Sequence, residues 1–444
     1  WMFEDILTNA DIQELTNGPQ LPFFVTATCE FGRNDDPLRR SGAELLIMNP
    51  FGGGIGMVTT SRPVFSNTNL ALNRAFYDVA FTQEDGAFLR LGDIFRLTKN
   101  SSLTGPVNRN FSLLGDPSMR LAFPKNNIAI TAVNEVNVAE YADTVKALEE
   151  VQLSGEVRSP LGDLLTDFDG EVEVTVFDLA SQFETLGQET PRTRYNQRTN
   201  ILFRGTATVD NGVFTIAWVN PKNITYLQGE LKVSMYATDG TTDAAGSFES
   251  LPIGNGVDNS DSDTLGPELT AYLENRLFKN GQSTGSEPLL LVDLADEHGV
   301  NLSESGLGQG ITAVLDDSAF FDLGAFYTAA KDDFSRGTVS FQMPTIGRGR
   351  HQLKINAWDT YNNPSETVVD FVVSTDNQIR IDQIDAIPNP FEDQVTIRIV
   401  HSRNGEDVVV KAAVYSMQGR LVLKDERVIP SAAVVTDLFT WVPG

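Results

Sequence analysis

Two kinds of hydrophobic pattern divide the chain. Up to about residue 123, short continuous apolar runs alternate with stretches of helical spacing. Phe23 to Ala27 and Ile55 to Thr60 are short and apolar, whereas Ala43 to Met48 and Leu70 to Phe81 carry the helical repeat. Unbroken runs of this length mark strands covered on both faces, and their alternation with helices predicts βαβ units on a mainly parallel sheet. From Ile128 onward the period shortens to two. Val172-Glu-Val-Thr-Val-Phe177, Gly205-Thr-Ala-Thr-Val209, Leu231-Lys-Val-Ser-Met-Tyr236 and Thr338-Val-Ser-Phe341 stand between turn-forming Gly, Asp, Asn and Pro. That is the pattern of half-buried strands in sandwiches, so everything after the first quarter is predicted to be all-β.

The expected organisation is therefore multidomain, α/β followed by all-β. Residues 1–123 form the α/β part, 124–247 a β-sandwich, 248–378 a second sandwich and 379–444 a small β-domain. The polar stretch Gly246 to Asp263 reads as the linker between the sandwiches. A further break falls at Ser374-Thr-Asp-Asn-Gln378, after which Val395-Thr-Ile-Arg-Ile-Val400 and Val408 to Tyr415 flank a turn signal at Asn404-Gly405. The last segment is short for an independent core, and losing an edge strand would leave it marginal. Its end at Trp441-Val-Pro-Gly444 and the opening Trp-Met-Phe-Glu-Asp both read as cut ends.

Composition narrows the partners. Acidic residues outnumber basic ones by 60 to 33, a formal charge of -27, so the chain repels nucleic acid and anionic lipid and favours cations as bound ions. No apolar run is long enough for a membrane-spanning helix, so any membrane association is expected to go through a partner. A single cysteine excludes an internal disulfide framework within these 444 residues.

That cysteine, Cys29, ends the apolar run Leu21-Pro-Phe-Phe-Val-Thr-Ala-Thr-Cys29 and precedes the polar turn Glu30-Phe-Gly-Arg-Asn-Asp-Asp-Pro37. Reacting groups in open α/β sheets collect outside the carboxyl ends of strands, where exposed loops are held by a rigid scaffold. The placement points to a nucleophile; the alternative is a small buried hydrophobe. Glu30, Arg33, Asp35 and Asp36 crowd the following loop, where a cation lowers a thiol pKa and carboxylates oppose it. Thr59-Thr-Ser-Arg62 follows the next strand and would emerge beside Cys29, as the lining of a substrate groove or as an exposed turn. Gly52-Gly-Gly-Ile-Gly56 lacks the Gly-Lys-Ser/Thr of a phosphate loop and reads as a flexible turn. Asp239-Gly-Thr-Thr-Asp243 and Asp258-Asn-Ser-Asp-Ser-Asp263 offer closely spaced oxygens of the kind calcium uses. Neither matches the twelve-residue calcium loop, so solvated turns are the expected reading and no cofactor is assigned.

The segment from Leu21 to Pro37, the glycine-rich turn before Met57-Val-Thr-Thr-Ser-Arg-Pro63, and Leu114-Gly-Asp-Pro-Ser-Met-Arg120 resemble the carboxyl half of a gingipain-type, caspase-like cysteine peptidase domain (C25). Within that family the sequence is similar to the sortases of the type IX secretion system of Bacteroidetes. Pro388-Asn-Pro-Phe391 followed by Val414-Tyr-Ser-Met-Gln-Gly-Arg-Leu421 is similar to the carboxyl-terminal sorting domain of that system. The resemblance implies a cell-surface enzyme that removes carboxyl-terminal signal domains from cargo through a thioester on Cys29. The cargo then passes to an amine of anionic lipopolysaccharide. It also implies a PorV-like outer-membrane β-barrel partner that holds the enzyme at the surface.

One departure stands out. Caspase-like enzymes carry the catalytic histidine upstream of the cysteine, about 50 residues before it in caspases, and no histidine lies among the 28 residues before Cys29. The histidine is expected in polypeptide upstream of Trp1. His298, His351 and His401 lie in the β-rich part and read as ordinary surface or core residues. Two other readings stay open: a secreted gingipain-like endopeptidase that is itself cargo, and a non-catalytic surface binding protein.

Overall fold

The computed structural model describes the chain except residues 1–6, 19, 27, 103, 188–190, 225–227, 258–261, 304–308, 374–380, 392, 402–405, 416–420 and 443–444. Ala27, most of the acidic stretch before Asp263, the break at 374–378, the Asn404-Gly405 turn and the centre of the second sorting-type motif thus lie outside the described residues. The chain divides into two compact units, Trp1–Asn126 with Ser159–Asp163, and Asn127–Arg158 with Leu164–Gly444.

In the first unit β1 (Phe23–Val25) and β2 (Gly56–Thr60) pair in parallel, Phe23 opposite Gly56 and Val25 opposite Val58. Helix α1 (Asn9–Glu14) precedes β1, α2 (Gly42–Met48) joins the two strands, and α3 (Ser66–Ala80) and α4 (Leu91–Ser102) follow β2. All five residues of β2 are buried. Successive side chains on a strand point to opposite faces. Met57 accordingly packs with Ile12, Phe31, Ala43 and Leu46 under α1 and α2, while Val58 packs with Leu72, Phe76, Ile94 and Phe111 under α3 and α4. A central strand covered on both faces explains why its sequence is an unbroken run rather than an alternating one.

A third strand, Phe111–Leu114, lies on the other side of β2 and corrects the expected mainly parallel sheet. It runs antiparallel, with Thr60 opposite Phe111. The chain comes back from α4 through Pro106–Asn110 to the very end at which β2 exits, where Ser61 N–H donates to the Asn110 carbonyl at 2.8 Å. A strand starting there can only run back along β2. The Gly52-Gly-Gly-Ile-Gly56 turn is also stiffer than expected. Gly53 has φ +96° and a Cβ there would sit 2.0 Å from the Leu46 carbonyl oxygen, while Asn17 bonds both its N–H and its C=O. The glycines serve close approach of backbone, not flexibility.

The second unit is all-β. One extended sheet runs from strand Val213–Val219 through Gly170–Phe177 and Ile201–Val209 to Glu268–Leu273, and a second sheet contains Gly349–Trp358 and Pro364–Val373. A single hydrophobic core runs through the unit from Ile128 to Val373. The expected linker, and the boundary at 247/248 with it, is corrected. Asp243–Val257 is a 15-residue strand paired along Gly229–Thr238. Ala244, Leu251, Ile253 and Gly254 are buried in it, and a Cβ at Gly246 would meet the Ile128 carbonyl oxygen at 2.2 Å. Glycine occupies these strand positions because a neighbouring backbone carbonyl at Gly246 and the Thr144 side chain at Gly254 leave no room for a Cβ. Beyond residue 380, Ile381–Ile387, Val395–His401 and Val435–Trp441 form a three-stranded antiparallel sheet, with a separate hairpin of Glu406–Tyr415 and Leu421–Ala432. No helix among the described residues is long and apolar enough to cross a membrane.

Candidate active site around Cys29

The sole cysteine is exposed, one turn beyond the end of β1. Thr26 N–H continues the parallel ladder to the Val58 carbonyl at 2.9 Å, and its hydroxyl donates to Thr59 Oγ1 at 2.9 Å. Thr60 Oγ1 then donates to the Thr28 carbonyl at 2.5 Å, and Gly32 N–H donates to the Thr60 carbonyl at 2.9 Å. The Cys29 turn is thus pinned to the end of β2 before and after the cysteine. Glu30 takes the left-handed conformation, φ 56°, which reverses the chain. Ala43 N–H donates to the Phe31 carbonyl at 3.1 Å, tying the turn to the start of α2, where Ser41 and Glu44 form a capping box.

The sulfur itself meets the loop after β2. The Cys29 thiol donates to the Val64 carbonyl at 3.1 Å, and Val64 N–H approaches Sγ at 3.4 Å. Two strand exits that pair in parallel therefore deliver the thiol and a backbone wall to one place. The charges of the Cys29 loop are internally matched. Glu30 pairs with Arg33 at 2.9 Å, Asp36 with Arg39 at 3.1 Å, and Asp35 with Arg62 in a two-pronged contact. The Arg62 guanidinium holds the Asp35 carboxyl below the usual carboxylate range, and Asp35 raises Arg62 in turn. This pair bridges the loop after β1 to the loop after β2. Beside it, Asn34, Pro37, Leu38 and Arg40 line an open depression of about 490 Å³.

The proposed groove residues divide. Thr59 and Thr60 are fully buried, and their hydroxyls are spent on Thr26 and Thr28, so they hold the thiol turn instead of lining a groove. Their place inside the doubly covered sheet is the reason. Ser61 is partly buried against the Asn110 carbonyl, and Arg62 is exposed in its pair with Asp35. The Thr28 and Val64 partners, and the third strand, carried no sequence signal of their own.

Residues 1–122 match the Peptidase family C25 model. Cys29 is the one thiol within these matched residues. The chain is also similar to dimeric latent PorU from Porphyromonas gingivalis, at 26% identity and TM-score 0.38, over 87% of this chain and 37% of that one. The complex of Porphyromonas gingivalis RgpB pro- and mature domains is similar at 12% identity and TM-score 0.25, over 54% of this chain and 49% of that one. The chain thus spans little more than a third of the PorU chain. No curated protein matches it.

All three histidines lie in the second unit, outside the C25 segment. His351 Nδ1 lies 2.7 Å from Asp316 and Nε2 2.8 Å from the Gly347 carbonyl, and His401 is fully buried. Both fit ordinary structural roles. His298 does not stop at one partner. Its Nδ1 lies 3.0 Å from Asp263 Oδ2, its backbone N–H donates to Asp296 Oδ1 at 2.9 Å, and its ring packs on Tyr361 at 4.5 Å between centroids. Burial, with Asp359 and Asp263 nearby, pushes the Asp296 carboxyl up to about 6. Asp263 is the last residue of one acidic stretch singled out in the sequence. The other, Asp239 to Asp243, is a closed turn in which Asp239 accepts from Thr241 and Thr242 N–H at 2.7 and 2.6 Å.

Proposed function

We propose that the chain is part of a PorU-like cell-surface sortase of the type IX secretion system, with Cys29 as its nucleophile. The observation that carries the reading is the placement of the only thiol of a C25 segment, exposed at a strand exit and pinned on both sides by β2. The thiolate attacks the carbonyl of the bond joining cargo to its carboxyl-terminal signal domain, forming a thioester as the signal domain leaves as an amine. An amine of anionic lipopolysaccharide then attacks the thioester, forming a new amide and returning the thiol. Water in place of that amine gives hydrolysis.

A cysteine nucleophile needs a base, and by the family resemblance this is a histidine that precedes Cys29 in the chain, outside residues 1–444. For attack, Sγ must exchange the Val64 carbonyl for that base. Arg62, bridged to Asp35 at the same edge, is the residue placed to meet substrate. The β-rich unit positions the enzyme, and residues 379–444 serve as the docking element toward a PorV-like outer-membrane β-barrel.

The test is cargo processing by the native protein carrying Cys29→Ala. Loss of signal-domain removal, together with a hydroxylamine-labile cargo adduct that maps to Cys29 in the unaltered protein, supports the reading. Normal processing by Cys29→Ala overturns it and leaves a non-catalytic surface protein.

A further inference from the structure

The second unit contains a cluster that the proposed chemistry does not use. Asp263 precedes strand Glu268–Leu273, Asp296 follows strand Leu289–Ala295, and His298 sits in the turn after it. One ligand atom from each lies within 4.8 Å of the other two. Ligands of a tetrahedral zinc at about 2.0–2.1 Å stand roughly 3.4 Å apart, so small side-chain shifts would close this set on an ion. Asp263 keeps only 5% of its side-chain surface and His298 only 19%. A fourth group, Asp359, is fully buried behind them and is already committed to Asn363, accepting from its N–H at 2.6 Å and its Nδ2 at 2.7 Å.

Charge makes the cluster incomplete as it stands. Two partly buried carboxylates share one imidazole, Asp359 is buried nearby, and among the described residues no Lys or Arg pairs with Asp263, Asp296 or Asp359. Buried carboxylates without a matching cation are costly. A second observation comes from Tyr327. Its side chain is 2% exposed, its hydroxyl has no hydrogen-bond partner among the described residues, and it lines one small cavity with His298, Gly299 and Thr360 while feeling the Asp296 charge. A buried hydroxyl without a partner, in a cavity that His298 also lines, is a place where an ordered water would find a partner.

We propose that Asp263, Asp296 and His298 bind one divalent transition metal of the zinc class, in a structural site that ties the entry to Glu268–Leu273 to the turn after Leu289–Ala295. The imidazole decides the class. Calcium and magnesium take all-oxygen shells, whereas mixed nitrogen and carboxylate sets suit zinc. Asp359 and its Asn363 partner stand behind the ligands and add negative charge that favours a cation.

The experiment titrates the metal-depleted 444-residue chain with Zn²⁺ alone, against a chromophoric chelator, beside His298→Gln, Asp263→Asn and a His351→Gln control. His351 has a comparable aspartate partner outside the cluster, so it reports nonspecific loss of histidine. The expected result is one Zn²⁺ per chain, weakened by at least roughly 10- to 100-fold in His298→Gln and Asp263→Asn and unchanged in His351→Gln. Circular dichroism confirms that the variants fold, and zinc-edge absorption on the unaltered chain reads imidazole and oxygen ligands directly. No uptake, or uptake equal in His298→Gln, overturns the proposal. None of these outcomes depends on whether Cys29 is a nucleophile.

Discussion

Replacing Gly32 with alanine should loosen the Cys29 turn, because the position has no room for a methyl group. A Cβ there would stand 2.2 Å from Thr59 Cγ2, 3.0 Å from Thr59 Oγ1 and 3.1 Å from Thr59 Cβ. Thr59 cannot rotate away freely, since it is fully buried and its Oγ1 accepts the Thr26 hydroxyl at 2.9 Å. Either the turn moves, stretching the 2.9 Å bond from Gly32 N–H to the Thr60 carbonyl, or Thr59 breaks its own bond. Overpacking of this kind costs about 1–3 kcal/mol, enough to raise local opening roughly 5- to 150-fold. Thr59→Ser supplies the matching test. It deletes the atom in closest conflict, keeps the hydroxyl, and by itself removes one buried methyl worth about 1 kcal/mol. Gly32→Ala with Thr59→Ser should therefore cost little more than Thr59→Ser alone. Hydrogen exchange read by mass spectrometry over residues 28–34 and 56–62 measures the opening, with peptides of the second unit as internal reference. Exchange in Gly32→Ala within twofold of the unaltered chain would refute the packing argument. So would costs that simply add in the double variant, because the two residues would then not be in conflict.

Two further outcomes concern the β-rich unit. Asn220 is fully buried, accepts the Trp218 indole N–H at 2.8 Å and donates to the Lys146 carbonyl at 2.9 Å. Asn220→Ala leaves the Trp218 indole N–H unpaired and the Lys146 carbonyl with only the long 3.4 Å bond from Glu149 N–H, and should cost about 1–3 kcal/mol, seen as a lower urea midpoint in tryptophan fluorescence; an unchanged midpoint would show that water replaces the amide. Asp293 accepts Arg276 through Nε at 2.8 Å and Nη2 at 2.7 Å, and Thr338 Oγ1 at 3.0 Å, which hold its carboxyl below the usual range. A lowered carboxylate pKa stabilises the fold above the unfolded value and is lost as pH falls through the folded one. Between about pH 5 and 3 the unaltered chain should therefore lose more stability than Arg276→Gln. The difference should stay under about 1 kcal/mol because both side chains are partly exposed; parallel pH curves would count against the pair.

What the sequence disclosed follows from how each element is buried. Strand β2 was legible because both its faces are covered, which turns Met57 and Val58 into parts of one apolar run. The exposed position of Cys29 just beyond a strand was legible because it ends the neighbouring run. Phe111–Leu114 escaped because its four residues follow an Asn and precede a Gly, and only the position of the β2 exit makes it a strand. Asp243–Val257 was misread because Gly246 and Gly254 stand where neighbouring chain comes too close for a Cβ, which looks like linker composition. Thr59 and Thr60 looked like groove residues because polarity in sequence does not reveal a hydroxyl consumed by a facing backbone carbonyl or hydroxyl. The Asp263, Asp296 and His298 cluster was only half visible. One acidic member, Asp263, stood out in a run of aspartates, but pairing it with His298 needed strands Glu268–Leu273 and Leu289–Ala295 to bring both together.

The lone thiol between the Val64 N–H and C=O also has a redox consequence. Oxidation of an exposed cysteine gives a sulfenic acid, which is normally rescued when a second thiol condenses with it. Within these 444 residues no second thiol exists. An oxidised Cys29 can then be reduced by a thiol outside these residues, close on a backbone nitrogen such as that of Val64 as a sulfenamide, or advance to the sulfinic state. The same exposure that lets a carbonyl reach the sulfur opens it to peroxide, with no partner thiol among these 444 residues.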